Sequence, residues 1–250
     1  DRALSGGMGA QHWASYGALL AMVHATAVTD ALATLLPRED HTHERVASTV
    51  RALDSSVGRP AGVGGPADHL TRALAEEWHA AAGAVSTLLE QADGLGRELR
   101  ARQAPSVVCH GDPHIGNVLI GGDGRVWLID WDDAVLAPRE RDLMFVIGGV
   151  LAFAPVSPQQ QSWFFDGYGP ADLDPTRLAY YRCTRALEDL AYPAAQVVDV
   201  HRSTEPERAD ALSIVQGVLS PTGLVSLALS SLRNLGLIPD ESYDRLGRLR

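Results

Sequence analysis

Residues 106–133 read SVVCHGDPHIGNVLIGGDGRVWLIDWDD, and the reading of the fold turns on this stretch. Three short apolar runs, Val107–Cys109, Val118–Ile120 and Val126–Ile129, have the β-branched content of strands. Gly121-Gly122-Asp123-Gly124 separates the second from the third, and its Asp-Gly pair marks a hairpin turn. Four polar residues fall at loop positions beside these strands: His110, Asp112, Asn117 and Asp130. Their spacing is H-x-D-x4-N, with another aspartate 13 residues on. In 250 residues holding 9 His, 20 Asp and 2 Asn, chance supplies H-x-D-x4-N about 0.006 times, so the pattern is specific.

On both sides of this stretch the chain reads as helix. Tyr16, Leu19, Leu20 and Val23 recur at helical spacing and predict a core-facing helix to about Leu36. Pro37 to His43 is a polar break, and Val57 to Pro66 is a Gly/Pro loop. Residues 67–102 predict one or two helices, interrupted near Gly94 and Gly96. Beyond Pro138, helices are expected over Glu140–Leu151, Ser157–Tyr168, Pro175–Tyr192, Pro206–Leu219 and Pro221–Leu235, then a short closing helix. Asp172 or Asp174 suits the N-cap of the third of these. The fold class is α+β, mainly helical, with one small β insertion at the centre.

The chain is 46% hydrophobic and 21% charged, the composition of a globular protein with a sizeable core. Its net charge of −10 argues against nucleic acid and against an anionic membrane surface, and suits a cationic partner. Two cysteines, Cys109 and Cys183, provide no disulfide framework and suit a reducing, cytoplasmic compartment. Asp1 to Gly9 has no signal-peptide pattern. The longest apolar run, Leu143–Val156, is short for a bilayer and reads as a buried helix. All 21 basic residues are arginine, which excludes a complete Gly-Lys-Ser/Thr phosphate loop and any lysine-borne Schiff base.

The spacing of the four polar residues suits phosphoryl transfer. That reaction needs a carboxylate beside the attacking hydroxyl and hard oxygen ligands for Mg²⁺ on the nucleotide phosphates. H-x-D-x4-N with a later Asp matches the catalytic loop and metal aspartate of protein-kinase-like folds. CHGDPHIGNVLI, followed by LIDWDDA and RERDLMFV, resembles the aminoglycoside phosphotransferase family, and within it the spectinomycin phosphotransferase type. YYRCTRALEDLA is similar to that group as well. The resemblance runs from about Trp13 to Leu237, with its motifs concentrated in 107–146.

What it implies is a kinase-like C-terminal lobe over residues 13–250, with residues 1–12 as a hinge remnant. Asp112 is then the catalytic base, His110 a brace of the loop, and Asn117 and Asp130 the Mg²⁺ ligands. ATP or GTP is the phosphoryl donor. Asp142 falls where such kinases place a buried aspartate that hydrogen-bonds the catalytic loop. His114 is a candidate for touching phosphate or substrate, with shaping of the loop as the alternative. The family's N-terminal lobe, with its sheet and its lysine, has no counterpart in these 250 residues, so the polypeptide alone is expected to be inactive or very weak.

Residues 108–200 hold 13 acidic groups and 6 arginines, a surface suited to a cationic aminocyclitol or aminoglycoside. Substrate candidates are Asp132, Asp133, Glu188 and Asp189. Arg185 precedes the last two by three and four residues, so a helix-surface ion pair is the competing reading there. Trp131 and Tyr181 are candidates to pack a ring face, or core aromatics. His41-x-His43 with Glu44 reads as a solvated loop rather than half a metal site, and His24 as a packed histidine. Three other readings compete with this one. A two-metal phosphoesterase wants more histidine ligands. A C-lobe that binds without turnover, or a sibling kinase of choline or homoserine, keeps the fold and changes the chemistry.

Overall fold

The computed structural model describes residues 3–5, 7–57, 68–102 and 104–240. The expected Val57–Pro66 loop and the closing helix lie almost wholly outside the described residues. The chain divides into two compact units, Asp1–His41 with Glu98–Leu178, and Thr42–Arg97 with Ala179–Arg250.

The first unit holds helices α1 (Ala10–His24) and α2 (Asp30–Leu35), strands β1 (Val107–Cys109), β2 (Val118–Ile120), β3 (Val126–Leu128) and β4 (Val135–Ala137), and helices α5 (Glu140–Leu143) and α6 (Pro158–Tyr168). The helix expected to run to Leu36 is two helices, and the second starts on a Thr29 cap whose side chain accepts from Leu32 N–H. β2 and β3 form the expected hairpin, with Leu119 opposite Trp127. β4 was not legible in advance. It pairs antiparallel with β1, Val108 opposite Leu136, and is buried throughout. The helix expected over 140–151 stops at Leu143, and the backbone turns through Gly148 (φ 87°) and Gly149 (φ 75°), which only glycine adopts freely.

Trp13, Tyr16 and Leu20 of α1 share a buried core with Val118, Leu128, Leu143 and Phe164, which Ala3 and Met8 also join. α1 and α6 lie backbone to backbone. A Cβ on Gly17 would sit 2.0 Å from the Phe164 carbonyl oxygen, and one on Gly167 would sit 1.8 Å from that of Ala14. Glycine at both positions is therefore required by the packing, and the close approach fixes which residues at the helix ends can meet.

The second unit is helical: α3 (Glu44–Ser56), most of α4 (His69–Arg100) and of α7 (Pro175–Val198), α8 (Glu205–Leu219) and α9 (Leu224–Asn234). In α4, Leu70, Leu74, Trp78, Ala81, Val85, Leu88, Ala92, Leu95 and Leu99 are all buried, in steps of three or four. That stripe carries the helix unbroken past Gly94 and Gly96, whose propensity cost is about 1 kcal/mol each. α7 continues through Pro193 to Val198 and is capped by Asp174, whose Oδ1 accepts from the N–H groups of Thr176 and Arg177. Glu205–Asn234 is apolar enough to cross a bilayer by composition, but it is two helices bent at Ser220–Gly223, and half of its apolar window is buried. Cys109 and Cys183 are free and buried.

Candidate active site

The loop after β1 is built by backbone hydrogen bonds before any side chain acts. Gly111 has φ 89°, and a Cβ on it would meet the backbone oxygen of Asp133 at 2.1 Å. Only glycine allows both the turn and the approach of the 130–133 segment. Asp112 and Pro113 follow, then a 3-10 turn over Ile115–Asn117. His114 caps this turn, its Nδ1 accepting from Gly116 N–H at 3.0 Å. The hydrogen is therefore on Nε2, which faces Asp112 Oδ2 at 3.5 Å. His114 shapes the loop with one nitrogen and approaches Asp112 with the other.

Asn117 ends the loop and starts the hairpin. Its Nδ2 donates to the Asp112 carbonyl at 2.8 Å, which fixes the amide and leaves Oδ1 as its acceptor end. Its own carbonyl accepts from Ile129 N–H at 3.0 Å, so the hairpin register delivers Asp130 one residue beyond the pairing. Asp130 is exposed and has φ 67°, a left-handed conformation that aspartate tolerates better than most side chains.

His110 is fully buried and bridges the two segments. Its Nδ1 accepts from Asp112 N–H at 3.3 Å and its Nε2 donates to the Ile129 carbonyl at 2.9 Å. The Trp131 ring lies against it, centroids 4.5 Å apart. His110 is thus a brace, out of reach of any bound molecule.

Behind the loop, Asp142 accepts the backbone N–H groups of His110 and Gly111, each at 2.8 Å, one on each carboxylate oxygen. His24 Nε2 reaches the same Oδ2 at 3.0 Å. Three donors satisfy a buried carboxylate that would otherwise be costly to bury. Tyr16 donates its hydroxyl to the Pro113 carbonyl, next to Asp112. Burial holds the Tyr16 phenol well above its ordinary range, and the carboxylates of Asp142 and Asp112 push the same way, so it remains a neutral donor.

Among the described residues, two groupings bear on metal binding by their residue types. His24, Cys109 and Asp142 offer ligand atoms within 4.8 Å of one another. Asp142, however, spends both oxygens on the loop, and burial raises the Cys109 thiol well above its usual range, so that cluster is a hydrogen-bonded core. Asn117 Oδ1 and the Asp130 carboxylate are hard oxygen donors on the same loop and hairpin as the partly exposed Asp112, and the chemistry of this donor set suits Mg²⁺.

The remaining sequence candidates separate. The side chains of Asp132 and Asp133 are exposed, beyond Asp130. Glu188 and Asp189 lie on α7 in the second unit, and Asp189 is paired with Arg185 at 2.8 Å. Tyr181 is buried. His41 and His43 are not a solvated loop: His41 N–H bonds Glu39 at 2.7 Å, and the largely buried His43 ring bonds Asp93 at 3.1 Å. Sequence reading missed Tyr16 and Tyr168 and treated His24 as packing. The available signal was the stripe Tyr16, Leu20, His24 at steps of four, which puts two polar-tipped side chains on the buried face of α1.

The sequence profile of the APH phosphotransferase enzyme family matches residues 9–203. The chain belongs to that family. Among solved structures, spectinomycin phosphotransferase APH(9)-Ia in complex with ADP and spectinomycin matches with a TM-score of 0.78 and 28% identity, over 90% of this chain and 66% of that one. The AMP-bound complex of the same enzyme matches with a TM-score of 0.77 and 27% identity, over 91% and 68%. This APH-family chain therefore spans about two thirds of the length of those structures. A Plasmodium vivax ethanolamine kinase shares the fold, at a TM-score of 0.52 and 13% identity. A comparison with curated protein sequences returns no match. The kinase-like fold expected from residues 106–133 is thereby established, as is the expected family.

Proposed function

We propose that the chain carries the catalytic loop and alcohol-binding side of a phosphotransferase that moves the terminal phosphoryl group of ATP or GTP to a hydroxyl of an aminocyclitol or aminoglycoside antibiotic. The observation that supports this best is the arrangement of Asp112, Asn117 and Asp130 on one loop and hairpin, held from behind by Asp142. The match to a spectinomycin phosphotransferase bound to ADP and spectinomycin favours an aminocyclitol over choline-type alcohols.

In this reading Asp112 accepts a hydrogen bond from the substrate hydroxyl and takes its proton as the oxygen attacks the terminal phosphorus. The new bond is substrate O–P, and the bond that breaks joins the terminal phosphorus to the bridging oxygen, which leaves on the nucleoside diphosphate. Asn117 and Asp130 would hold Mg²⁺, which would neutralise phosphate charge. His114 steadies the Asp112 carboxylate through its Nε2–H. The exposed apolar face of the hairpin (Leu119, Trp127 and Ile129) offers a surface for the nucleotide base beside the two metal ligands. Asp132 and Asp133 present negative charge to a substrate ammonium group. Glu188 and Asp189 are retained as weaker candidates for the same role.

The 250 residues contain no lysine, so a lysine contact to the nucleotide phosphates has to come from outside them, and transfer by these residues alone is expected to be very weak. The decisive assay follows phosphate from radiolabelled ATP and GTP to spectinomycin, and in parallel to choline and homoserine, with and without Mg²⁺. Magnesium-dependent labelling of spectinomycin in preference to the other two is expected. Preference for a neutral or zwitterionic alcohol would remove the antibiotic assignment, and strong transfer by the 250 residues alone would remove the need for an added lysine.

A further inference from the structure

A chain of three side chains, the partly buried Tyr168 and the buried His24 and Asp142, ends on the loop that carries Asp112. The Tyr168 hydroxyl on α6 meets His24 Nδ1 on α1 at 2.7 Å. His24 Nε2 meets Asp142 Oδ2 at 3.0 Å, and Asp142 takes the amides of His110 and Gly111. The direction of each bond is set by its partners. Asp142 as a carboxylate only accepts, so His24 carries its hydrogen on Nε2. Burial pushes the Tyr168 phenol up to about 12, so it keeps its proton and can donate a hydrogen bond to Nδ1. The edge-on packing of the two rings, centroids 5.6 Å apart, holds them in this geometry.

Asp142 Oδ2 is shared between His24 and the His110 amide, while Oδ1 serves Gly111 alone. Rotation of the carboxylate would therefore break both loop bonds, and the imidazole of His24 bonds the oxygen that the His110 amide uses. His24 is in turn aimed by Tyr168, and the meeting of the two depends on the close α1–α6 contact at Gly17 and Gly167. α1 also holds the far side of the loop through Tyr16 and the Pro113 carbonyl.

We propose that His24 and Tyr168 are positioning residues, which fix Asp112 by locking the Asp142 carboxylate against the backbone of His110 and Gly111. The role of Asp112 itself rests on the function proposed above. The position of the lock does not, and the two are separable by experiment. Loss of a hydrogen bond to a charged group is worth tenfold or more in an opening equilibrium.

The test is hydrogen–deuterium exchange of the His110 and Gly111 amides in the 250-residue chain, for wild type, His24→Ala, His24→Gln and Tyr168→Phe. His24→Ala is expected to lower protection of both amides by about tenfold or more, with Tyr168→Phe producing a smaller loss. His24→Gln, whose amide can still donate to Asp142, is expected to restore most of it. In the active enzyme, kcat for transfer is expected to fall in the same order while KM values stay within about threefold. Unchanged protection in both His24→Ala and Tyr168→Phe overturns the lock. So does a loss that His24→Gln fails to restore, because filling space would then be all that His24 does. Tyr168→Phe keeps the ring and reads the lock even if His24→Ala does not fold. If protection changes as expected and no phosphate transfer is found in any form, the lock stands and the phosphotransferase assignment falls.

Discussion

The side-chain amide of Asn117 donates to the backbone carbonyl of Asp112 at 2.8 Å. The residue that ends the loop after β1 therefore holds the residue proposed as its catalytic base, and the same amide turns its oxygen away from that bond. Asn117→Asp separates these two duties, because it keeps an oxygen ligand but cannot donate to Asp112. Asn117→Ala removes both. The expected order of transfer rates is wild type, then Asn117→Asp, then Asn117→Ala. The magnesium concentration for half-maximal transfer should rise sharply only in Asn117→Ala. Equal magnesium dependence in all three would take Asn117 out of the metal site.

Asp112→Ala removes the carboxylate and leaves its backbone bonds to Asn117 and His110 in place. A general base contributes about 10²- to 10⁴-fold to a rate. Transfer in the active enzyme should fall within that range while nucleotide affinity, measured by calorimetry, stays within a few-fold. Equal loss of transfer and nucleotide binding would make Asp112 a structural residue.

Asp142→Asn replaces one of two acceptor oxygens with an N–H₂ group that points a donor at the donor of a loop amide. The variant is expected to be less stable by about 1–3 kcal/mol, the cost of one unsatisfied buried group. The midpoint of chemical denaturation measures this. A midpoint unchanged from wild type would mean that the loop amides find another acceptor, and that Asp142 is not what supports them.

The parts of this site that could be read from the sequence are those whose partners lie nearby along the chain. H-x-D-x4-N and the Asp-Gly hairpin announce Asp112, Asn117 and Asp130 because a loop and one two-stranded turn bring them together. Asp142 was recognisable only through a family resemblance. The Tyr168–His24–Asp142 chain joins His24 to two residues more than a hundred positions away, and no local pattern encodes such a meeting. β4 illustrates the same limit: Val135-Leu136-Ala137 is a strand because β1 is beside it, and three residues are too short a run to declare themselves. Gly94 and Gly96 misled in the opposite direction, since the buried stripe of α4 outweighs two unfavourable propensities.

Asp68 offers a test in the second unit, by pH. It is paired with the buried Arg208 at 2.8 Å and also accepts from Thr71. Burial would raise its carboxyl, but the hydrogen bonds from Arg208 and Thr71 outweigh this and hold it well below the usual carboxylate range. A carboxyl depressed in the folded state contributes stability above its unfolded value of about 4, and that contribution is lost as pH falls toward the folded value. Asp68→Asn should therefore lower the melting temperature at pH 6–8. With Asp68 more than a third exposed, the deficit is set at about 1 kcal/mol after solvent screening. The difference from wild type should shrink progressively below about pH 4. A deficit that does not vary with pH would assign it to lost packing rather than to the ion pair.

Asp130 combines the ligand role proposed for it with a strained backbone, and substitution can pull these apart. Its φ of 67° costs an ordinary side chain about 1–2 kcal/mol, while glycine has no such penalty and asparagine only part of it. The expected order of thermal stability is Asp130→Gly highest, then wild type and Asp130→Asn, with Asp130→Ala lowest. Transfer should not follow that order. All three variants lose the carboxylate, so all three should need far more Mg²⁺ than wild type, including the glycine variant that folds best. If Asp130→Gly kept normal magnesium dependence, the aspartate would be present for its turn alone, and the metal would have to be held by another residue.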